Sequence, residues 1–395
     1  MTVSSPIPVL VLGTGKIGRL VCQLLATSGD YAVTAVDLQA GQAEAAVRDA
    51  DGRSYPNARG VAGDFTDPAT LVALGQGQRY MVSCAPYRCN LIIAEAAKVV
   101  GAHYLDLTED VNTTKGVMRL AQDAATAFIP QCGLAPGFIS IVAAHLAEGM
   151  APLEQVHLRV GALPQHPNNV LKYSLTWSTD GLINEYGNPC QALVDGREVE
   201  VAPLEGLEEI EIDGTLYEAF NTSGGLGSLA ETHGGKSESM NYKTIRYPGH
   251  CEHMRLLMND LKLNQDRATL KRVLENAVPQ TLQDVVIVYA AVTGFQDGQL
   301  REENYVNKVY PQVIAGRLWS AIQVTTASGI TAVVDLVLSD PARFKGFVAQ
   351  EQFSLPAILA NRFGRYYAPG GTKDISSDAV VSGKAGQQRK LRGAA

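Results

Sequence analysis

Apolar and polar positions in the first 150 residues alternate between two periods. Val9-Leu10-Val11-Leu12 is a continuous apolar run of strand length. Ile17, Leu20, Val21, Leu24 and Leu25 then recur at helical spacing. Tyr31 to Asp37 and Arg79 to Ala85 repeat the strand pattern. A helix is expected near residues 90–100, a strand over 103–107, a helix near 111–126 and a strand over 128–132. This rhythm predicts an α/β fold, a mainly parallel, doubly wound sheet with helices on both faces.

From about residue 151 the rhythm changes. Val156, Leu158 and Val160 alternate with His157, Arg159 and Gly161, as in a sheet wet on one side. Asp213-Gly214 separates 209–212 from 215–220 and signals a hairpin. Residues 240–247 and 284–295 read as further strands, and Gln296-Asp297-Gly298 turns into another at 303–310. Several strands without crossover helices predict an antiparallel sheet, hence an inserted α+β substrate domain. Two apolar helical stretches, 318–338 and 355–362, are expected to return to the first domain. The expected organisation is a first domain of 1–150 and 318–367, an inserted second domain of 151–317, and a disordered tail of 368–395 poor in apolar residues.

Composition narrows the class. With 46% hydrophobic and 18% charged residues, large cores are within reach. A net charge of −7 argues against nonspecific nucleic-acid binding, which needs excess Lys and Arg. No apolar run reaches the ~18 residues of a membrane span, and the start lacks the basic region of a signal peptide. The six cysteines form no CxxC pair and read as reduced thiols in a cytoplasm. Cys84 and Cys89, with no His cluster near them, make a poor metal site.

The chemistry begins at Gly13-Thr14-Gly15-Lys16-Ile17-Gly18, a GxGxxG pattern between a strand and a helix. Its glycines suit a tight turn, close approach to a pyrophosphate and close helix packing, and the helix N-terminus supplies N–H donors. Asp37 follows Gly18 by 19 positions and ends the second strand, where a carboxylate accepts hydrogen bonds from ribose hydroxyls. No Lys or Arg follows it directly. A carboxylate there repels a 2′-phosphate, so NAD is expected over NADP. Asp64 ends the third strand and is a candidate for the adenine edge, whereas Asp67 before Pro68 reads equally as a helix cap.

The carboxyl ends of later strands border the same crevice. Ser83 and Ala85 are small enough to admit a nicotinamide ribose, and Tyr87 follows them. Asp106, Glu109 and Asp110 place three carboxylates at the next strand end, able to raise one another's pKa and hold a cation, or else to cap a helix. Asp106, Glu109 and Tyr87 are the candidate catalytic residues. In the inserted domain, Asn221, Thr222 and Ser223 form a hydroxyl and N–H loop suited to a carboxylate, or a plain surface turn. Arg246 is a candidate carboxylate clamp or a strand salt bridge.

Several blocks together carry a resemblance: GTGKIG at 13–18, HYLDLTEDV at 103–111, PQCGLAPGFISIVA at 130–143, SLTWSTDGLINEY at 174–186, EAFNTSGG at 218–225, YKTIRYPGH at 242–250 and ANRFGRYY at 360–367. The chain resembles the saccharopine dehydrogenase-like oxidoreductases over about residues 7–367, and within them the bacterial L-lysine 6-dehydrogenases. The resemblance implies a Rossmann domain with an inserted α+β domain, a homo-oligomer, and NAD-dependent oxidative deamination of the ε-amino group of L-lysine. The products would be 2-aminoadipate 6-semialdehyde, which cyclises to a piperideine carboxylate, ammonia and NADH. The saccharopine-forming relatives carry an Arg in SWS-x-R-G, where this chain has Asp180, and GLDPG where it has Gly133-Leu134-Ala135-Pro136-Gly137. Asp180 would repel a glutamate-derived carboxylate and suit an ammonium. The alternatives are a saccharopine dehydrogenase and a non-catalytic NAD-sensing regulator.

Overall fold

The computed structural model describes residues 5–368 apart from 234 and 235. The tail expected at 368–395 lies outside the described residues but for its first position.

The first half of the chain alternates strand and helix: β1 (Ile7–Leu12), α1 (Lys16–Ser28), β2 (Tyr31–Asp37), α2 (Ala40–Ala46), β3 (Ala58–Ala62), α3 (Pro68–Gly75), β4 (Tyr80–Ser83), α4 (Asn90–Val100), β5 (His103–Asp106), α5 (Val111–Ala121), β6 (Ala127–Ile129) and α6 (Phe138–Leu146). These strands pair in parallel in the order β6-β5-β4-β1-β2-β3. This is the doubly wound order whose strand sequence reverses between β1 and β4, and the crevice outside the strand ends opens there. β1 is apolar on both faces because helices cover both, and Val9 to Leu12 are wholly buried. Asp67 caps α3 by accepting from Ala69 and Thr70 N–H ahead of Pro68.

The second half builds a sheet from β7 (Leu153–Pro164), β8 (Cys190–Val194), β9 (Arg197–Val201), β10 (Glu208–Ile212), β11 (Thr215–Asn221), β12 (Ser237–Arg246), β13 (Asp284–Gln296) and β14 (Gln299–Val309). Its main path is β10-β11-β12-β7-β13-β14. The sheet is mixed and not antiparallel throughout, because β12 runs parallel to β7 with Tyr242 beside Leu158 and Thr244 beside Val160. A parallel pair needs a long crossover. Here the connection is residues 165–236, which hold α7 (Thr179–Gly187) and the β8–β9 and β10–β11 hairpins. The β8–β9 turn, Asp195-Gly196, carries the same hairpin signal as Asp213-Gly214.

The chain then returns. After β15 (Gln312–Ile314) and β16 (Arg317–Trp319), α11 (Ala321–Ser339) packs along α1, with α8 (Leu229–His233), α9 (His250–Arg255) and α10 (Arg267–Ala277) lying in the second half. β17 (Gly346–Phe347) extends the first sheet beside β6, and α12 (Leu355–Ala360) follows. Ser320 and Gln323 form a reciprocal capping box at the start of α11. The buried Asp284 of β13 also accepts the N–H of Ala321 (2.6 Å) and Ile322 (3.0 Å), tying the second sheet to this helix.

By length and composition α11 is long and apolar enough to cross a membrane, contrary to the reading of the bare sequence. Gln323, Thr325 and Ser328 interrupt its apolar run without offsetting its apolar character. Its most apolar window is 78% buried within the protein, so its apolar surface already has a protein partner.

Candidate active site

The switch point between β1 and β4 opens into a cavity of about 820 Å³ bounded by both sheets. One wall is largely main chain. Gly13 has φ +88°, and a Cβ there would sit 2.8 Å from the Cys84 carbonyl, so the turn presses on the end of β4 as only glycine allows. Gly18 lies behind it, where a Cβ would be 1.9 Å from the Gly13 carbonyl. The first turn of α1 has Gly15 as its cap and no side chain bonded to its free N–H groups. Gly13, Gly15, Lys16, Ile17 and Asp37 line the cavity, with Ala85, Tyr87, Arg88 and Gly133 further along the strand ends. Asp37 Oδ2 accepts from Thr14 N (2.9 Å) and Oγ1 (2.8 Å), which fixes the carboxylate at the rim of the turn.

Uncapped N–H groups, a close-packed glycine turn and a carboxylate at the end of β2 are what a dinucleotide needs, so these residues fit a nicotinamide cofactor. Thr14 and Gly18 serve the turn from behind and do not line the cavity. Lys16 reaches across to the second half, with Nζ 3.5 Å from the Leu175 carbonyl.

The opposite wall is made of side chains. Successive residues of a strand face opposite sides. Val160 and Ala162 of β7 and Tyr242, Thr244 and Arg246 of β12 therefore share one face, and that face lines the cavity. Arg246 is 2% exposed, and its Nε donates to the Tyr186 hydroxyl (2.8 Å). α7 adds Gly181 and Glu185, four residues apart on one helical face. Glu109 closes the group from the loop after β5.

Burial pushes the Glu109 carboxyl up to about 7, aided by the neighbouring charges of Asp110 and Asp106. Burial likewise pushes Glu185 up to about 8, against the pull of Arg246 and with the push of Glu109. Two acids that titrate near neutrality and one buried guanidinium thus share a cavity with the glycine turn. Such shifts cluster where proton transfer is done.

Several expected positions are corrected. Asp106 is fully buried but does not line the cavity. It accepts from Tyr104 Oη (2.7 Å), Thr108 N (2.9 Å) and Gln131 N (3.0 Å), so its oxygens are committed to holding the loops after β5 and β6. Asp64 points to solvent and binds Thr66 N and Oγ1; its neighbour Phe65 lines the cavity instead. Ser83 does not line the cavity; its buried hydroxyl donates to Oδ1 of Asn90 (2.7 Å), which does. Asp180 reaches the rim, yet its carboxylate pairs with Lys271 (2.7 Å) and is 55% exposed.

The loop at Asn221, Thr222 and Ser223 also lies off the cavity, because its polar atoms are spent on the protein itself. Asn221 Nδ2 donates to the Ala202 carbonyl, Thr222 Oγ1 bonds to Thr244 Oγ1 (2.7 Å), and Ser223 Oγ donates to the Pro189 carbonyl. Among the cysteines, Cys84 lines the cavity; the other five are buried thiols.

Glu185, Tyr242 and Thr244 were missed. Once Arg246 is placed on the cavity face, a step of two residues along the strand adds Thr244 and Tyr242. Glu185 sits among apolar Leu182, Ile183 and Tyr186, the signal of a buried acid on a helix.

Fold and site define a two-lobed pyridine-nucleotide oxidoreductase, with a Rossmann-like lobe facing a mixed-sheet lobe. Residues 9–129 match the saccharopine dehydrogenase NADP binding domain and residues 133–365 the saccharopine dehydrogenase C-terminal domain. The chain belongs to the saccharopine dehydrogenase family.

It is 23% identical over 206 residues to saccharopine dehydrogenase [NADP(+), L-glutamate-forming] of Schizosaccharomyces pombe, covering 49% of this chain and 43% of that protein. It is also 23% identical over 207 residues to the mitochondrial alpha-aminoadipic semialdehyde synthase of Rattus norvegicus, covering 51% of this chain and 22% of that one. The match therefore spans less than half the length of either relative. The fold is similar to apo saccharopine dehydrogenase (L-Glu forming) from Saccharomyces cerevisiae, with a TM-score of 0.69, 16% identity, and coverage of 91% of this chain and 96% of that one.

Proposed function

We propose that the chain is an NAD-dependent dehydrogenase that oxidatively deaminates the ε-carbon of L-lysine. The observation that carries this reading is the joint placement of Glu109, Glu185 and Arg246 opposite the glycine turn. Lysine offers one α-carboxylate, which the guanidinium answers, and an ε-amine that must give up a proton before oxidation and regain protons as ammonia leaves, which two carboxyls poised near neutrality answer. Saccharopine carries three carboxylates, for which this wall offers a single buried arginine, and an ionised Glu109 opposes the others.

A nicotinamide bound over Gly13 and Ala85 would supply the hydride acceptor. An ammonium has no lone pair with which to form a C=N bond, so the ε-amine must first lose a proton. Glu109, poised near 7, takes it. Arg246 holds the α-carboxylate and keeps the chain extended toward the strand ends. Glu185 keeps its proton at neutral pH and is the acid available to the departing nitrogen. Water adds to the imine, so that lysine, NAD⁺ and water give the semialdehyde, ammonium, NADH and one proton. NAD is favoured because Asp37 would face a 2′-phosphate.

A second reading, saccharopine oxidation with NADP, is favoured by the NADP-binding description of the matching family and by Arg88 on the cavity wall. The test is a panel of L-lysine, saccharopine, 6-aminohexanoate and 1,5-diaminopentane with NAD⁺ and NADP⁺, following absorbance of the reduced nicotinamide. Turnover of lysine with NAD⁺ is expected. Turnover of saccharopine alone would replace the proposal with the second reading, and cofactor binding without turnover of any amine would leave a sensor.

A further inference from the structure

Behind Arg246 runs a chain of hydrogen bonds that ends at a buried histidine outside the cavity wall. Arg246 Nε–H donates to Tyr186 Oη (2.8 Å). Tyr186 Oη lies 3.1 Å from His250 Nε2, and His250 Nδ1 lies 2.7 Å from the Leu171 carbonyl. Donor and acceptor chemistry allows one fully satisfied pattern. A carbonyl only accepts, so Nδ1 carries the hydrogen. In the neutral ring Nε2 then accepts, so the tyrosine hydroxyl donates to it. The hydroxyl oxygen is left to accept from the guanidinium, and every group has one role.

The surroundings hold this pattern. His250 is 1% exposed, stacks on Phe220 at 15°, and packs beside Tyr173 and Tyr186. The guanidinium carbon of Arg246 lies 4.9 Å from the Tyr173 ring centroid, and Trp177 Nε1 donates to the Tyr173 hydroxyl (3.1 Å). The same histidine anchors residue 171, and Lys172 Nζ donates to the Pro248 carbonyl (2.8 Å), so the segment leading to Trp177 and Ser178 on the cavity wall is pinned to the turn after β12.

We propose that His250 is the positioning residue for the carboxylate grip. As the neutral Nδ1–H tautomer, it orients the Tyr186 hydroxyl, which orients Arg246 toward the carboxylate of the amino-acid substrate. This rests on the reading of Arg246 as that grip. The role is specific for substrates that bear a carboxylate.

The test uses the full chain with bound NADH and measures binding of L-lysine and of 1,5-diaminopentane, which lacks the carboxylate. Binding is read by calorimetry, so the result does not depend on turnover. In the wild type, lysine should bind more tightly than the diamine; equal binding would refute the grip itself and, with it, this inference. His250→Asn keeps a donor near the Leu171 carbonyl and removes the acceptor for Tyr186. It should weaken lysine binding about tenfold, because the freed Tyr186 hydroxyl misaims the charge-assisted bond between Arg246 and the carboxylate, and leave the diamine within twofold.

Tyr186→Phe should do the same, and the double variant should be no worse than either single one. His250→Gln, whose amide oxygen reaches toward the Nε2 position, should recover part of the loss. NADH affinity and thermal melting of each variant report the fold. A His250→Asn variant that binds both ligands as the wild type does would overturn the proposal. Equal weakening of both ligands, or additive losses in the double variant, would show a merely structural histidine.

Discussion

The two walls of the cavity recognise their ligands by different means. The wall at the ends of β1, β2 and β4 works through main chain: the Gly13 turn, the free N–H groups of α1 and the small Ala85. Its glycine turn is specified locally, within a few residues of one strand–helix junction, and the neighbouring strand ends add Asp37 and Ala85. The wall formed by β7, β12 and α7 works through side chains drawn from residues 160, 185 and 246. There, function depends on which residues share a face, and pairing between distant strands decides that. A main-chain site is conspicuous in a sequence because it demands glycine at fixed spacing. A side-chain site leaves no fixed spacing at all.

The end of β5 and the loop after it sharpen the contrast, since Asp106 and Glu109 there have opposite assignments. Glu109→Gln removes the proton acceptor and should lower kcat for lysine by about 10²- to 10⁴-fold. In the wild type, kcat/KM should rise with pH to about 7, as Glu109 ionises, and fall above about 8, as Glu185 loses its proton. The Gln variant should lose the acid limb. Its stability should not suffer. Folding raises the Glu109 value above its ordinary 4.5, so the protein loses stability as pH climbs from there to about 7, and a glutamine has no such penalty. An acid limb that survives in the rate profile of Glu109→Gln would assign the base elsewhere.

Asp106→Ala should show the reverse. It strands the hydroxyl of Tyr104 and the N–H groups of Thr108 and Gln131, and should cost about 3–5 kcal/mol in denaturant unfolding. The folded fraction should keep kcat within a few-fold. Unchanged unfolding together with a collapsed kcat would restore Asp106 to the chemistry.

This pair shows how much the sequence could tell. The βαβ rhythm and the glycine turn were legible because period, turn and cap are local properties. The strand ends named the right loops, since carboxyl ends border the crevice in any open parallel sheet. Which acid of a loop faces inward was not legible. Asp106 and Glu109 are three residues apart, and only the positions of Tyr104, Thr108 and Gln131 show that the first is already spoken for. The misplaced loop at residues 221–223 has the same cause. Its hydroxyls suit a carboxylate, but Thr244 of β12 and the Pro189 carbonyl, between α7 and β8, lie close enough to use them first. Arg246 was legible as a residue type, whereas its shared face with Val160 needed the β7–β12 pairing, and its meeting with Glu185 needed α7 to pack over that face.

On the main-chain wall, Asp37 offers the next largest effect. Asp37→Ala removes the carboxylate proposed to accept from the ribose and releases Thr14 N and Oγ1. NADH affinity should fall about 10- to 100-fold, the range for hydrogen bonds to a charged group. NADPH affinity should fall less or rise, because the carboxylate that opposes a 2′-phosphate is gone. Fluorescence titration with both cofactors gives the ratio. A wild type that already prefers NADPH would refute the assignment of Asp37 as the discriminator.

The smallest effect is expected at Asp180, where the sequence pointed to an ammonium site. The residue stands in the first turn of α7, and its charge favours the helix N-terminus. Its carboxylate, however, turns to Lys271 on α10, and both side chains are well exposed, at 55% and 39%. An exposed pair of this kind is worth about 0.2–1 kcal/mol, and water already solvates a charge so placed. A lysine ammonium held there would have to displace Lys271 for little gain, while Glu109 and Glu185 offer desolvated acids deeper in the cavity. Asp180→Asn should therefore change KM for lysine less than twofold and leave kcat unchanged. A KM raised tenfold or more would mean that Asp180 leaves Lys271 when the substrate arrives, and the side-chain wall would then extend to the rim.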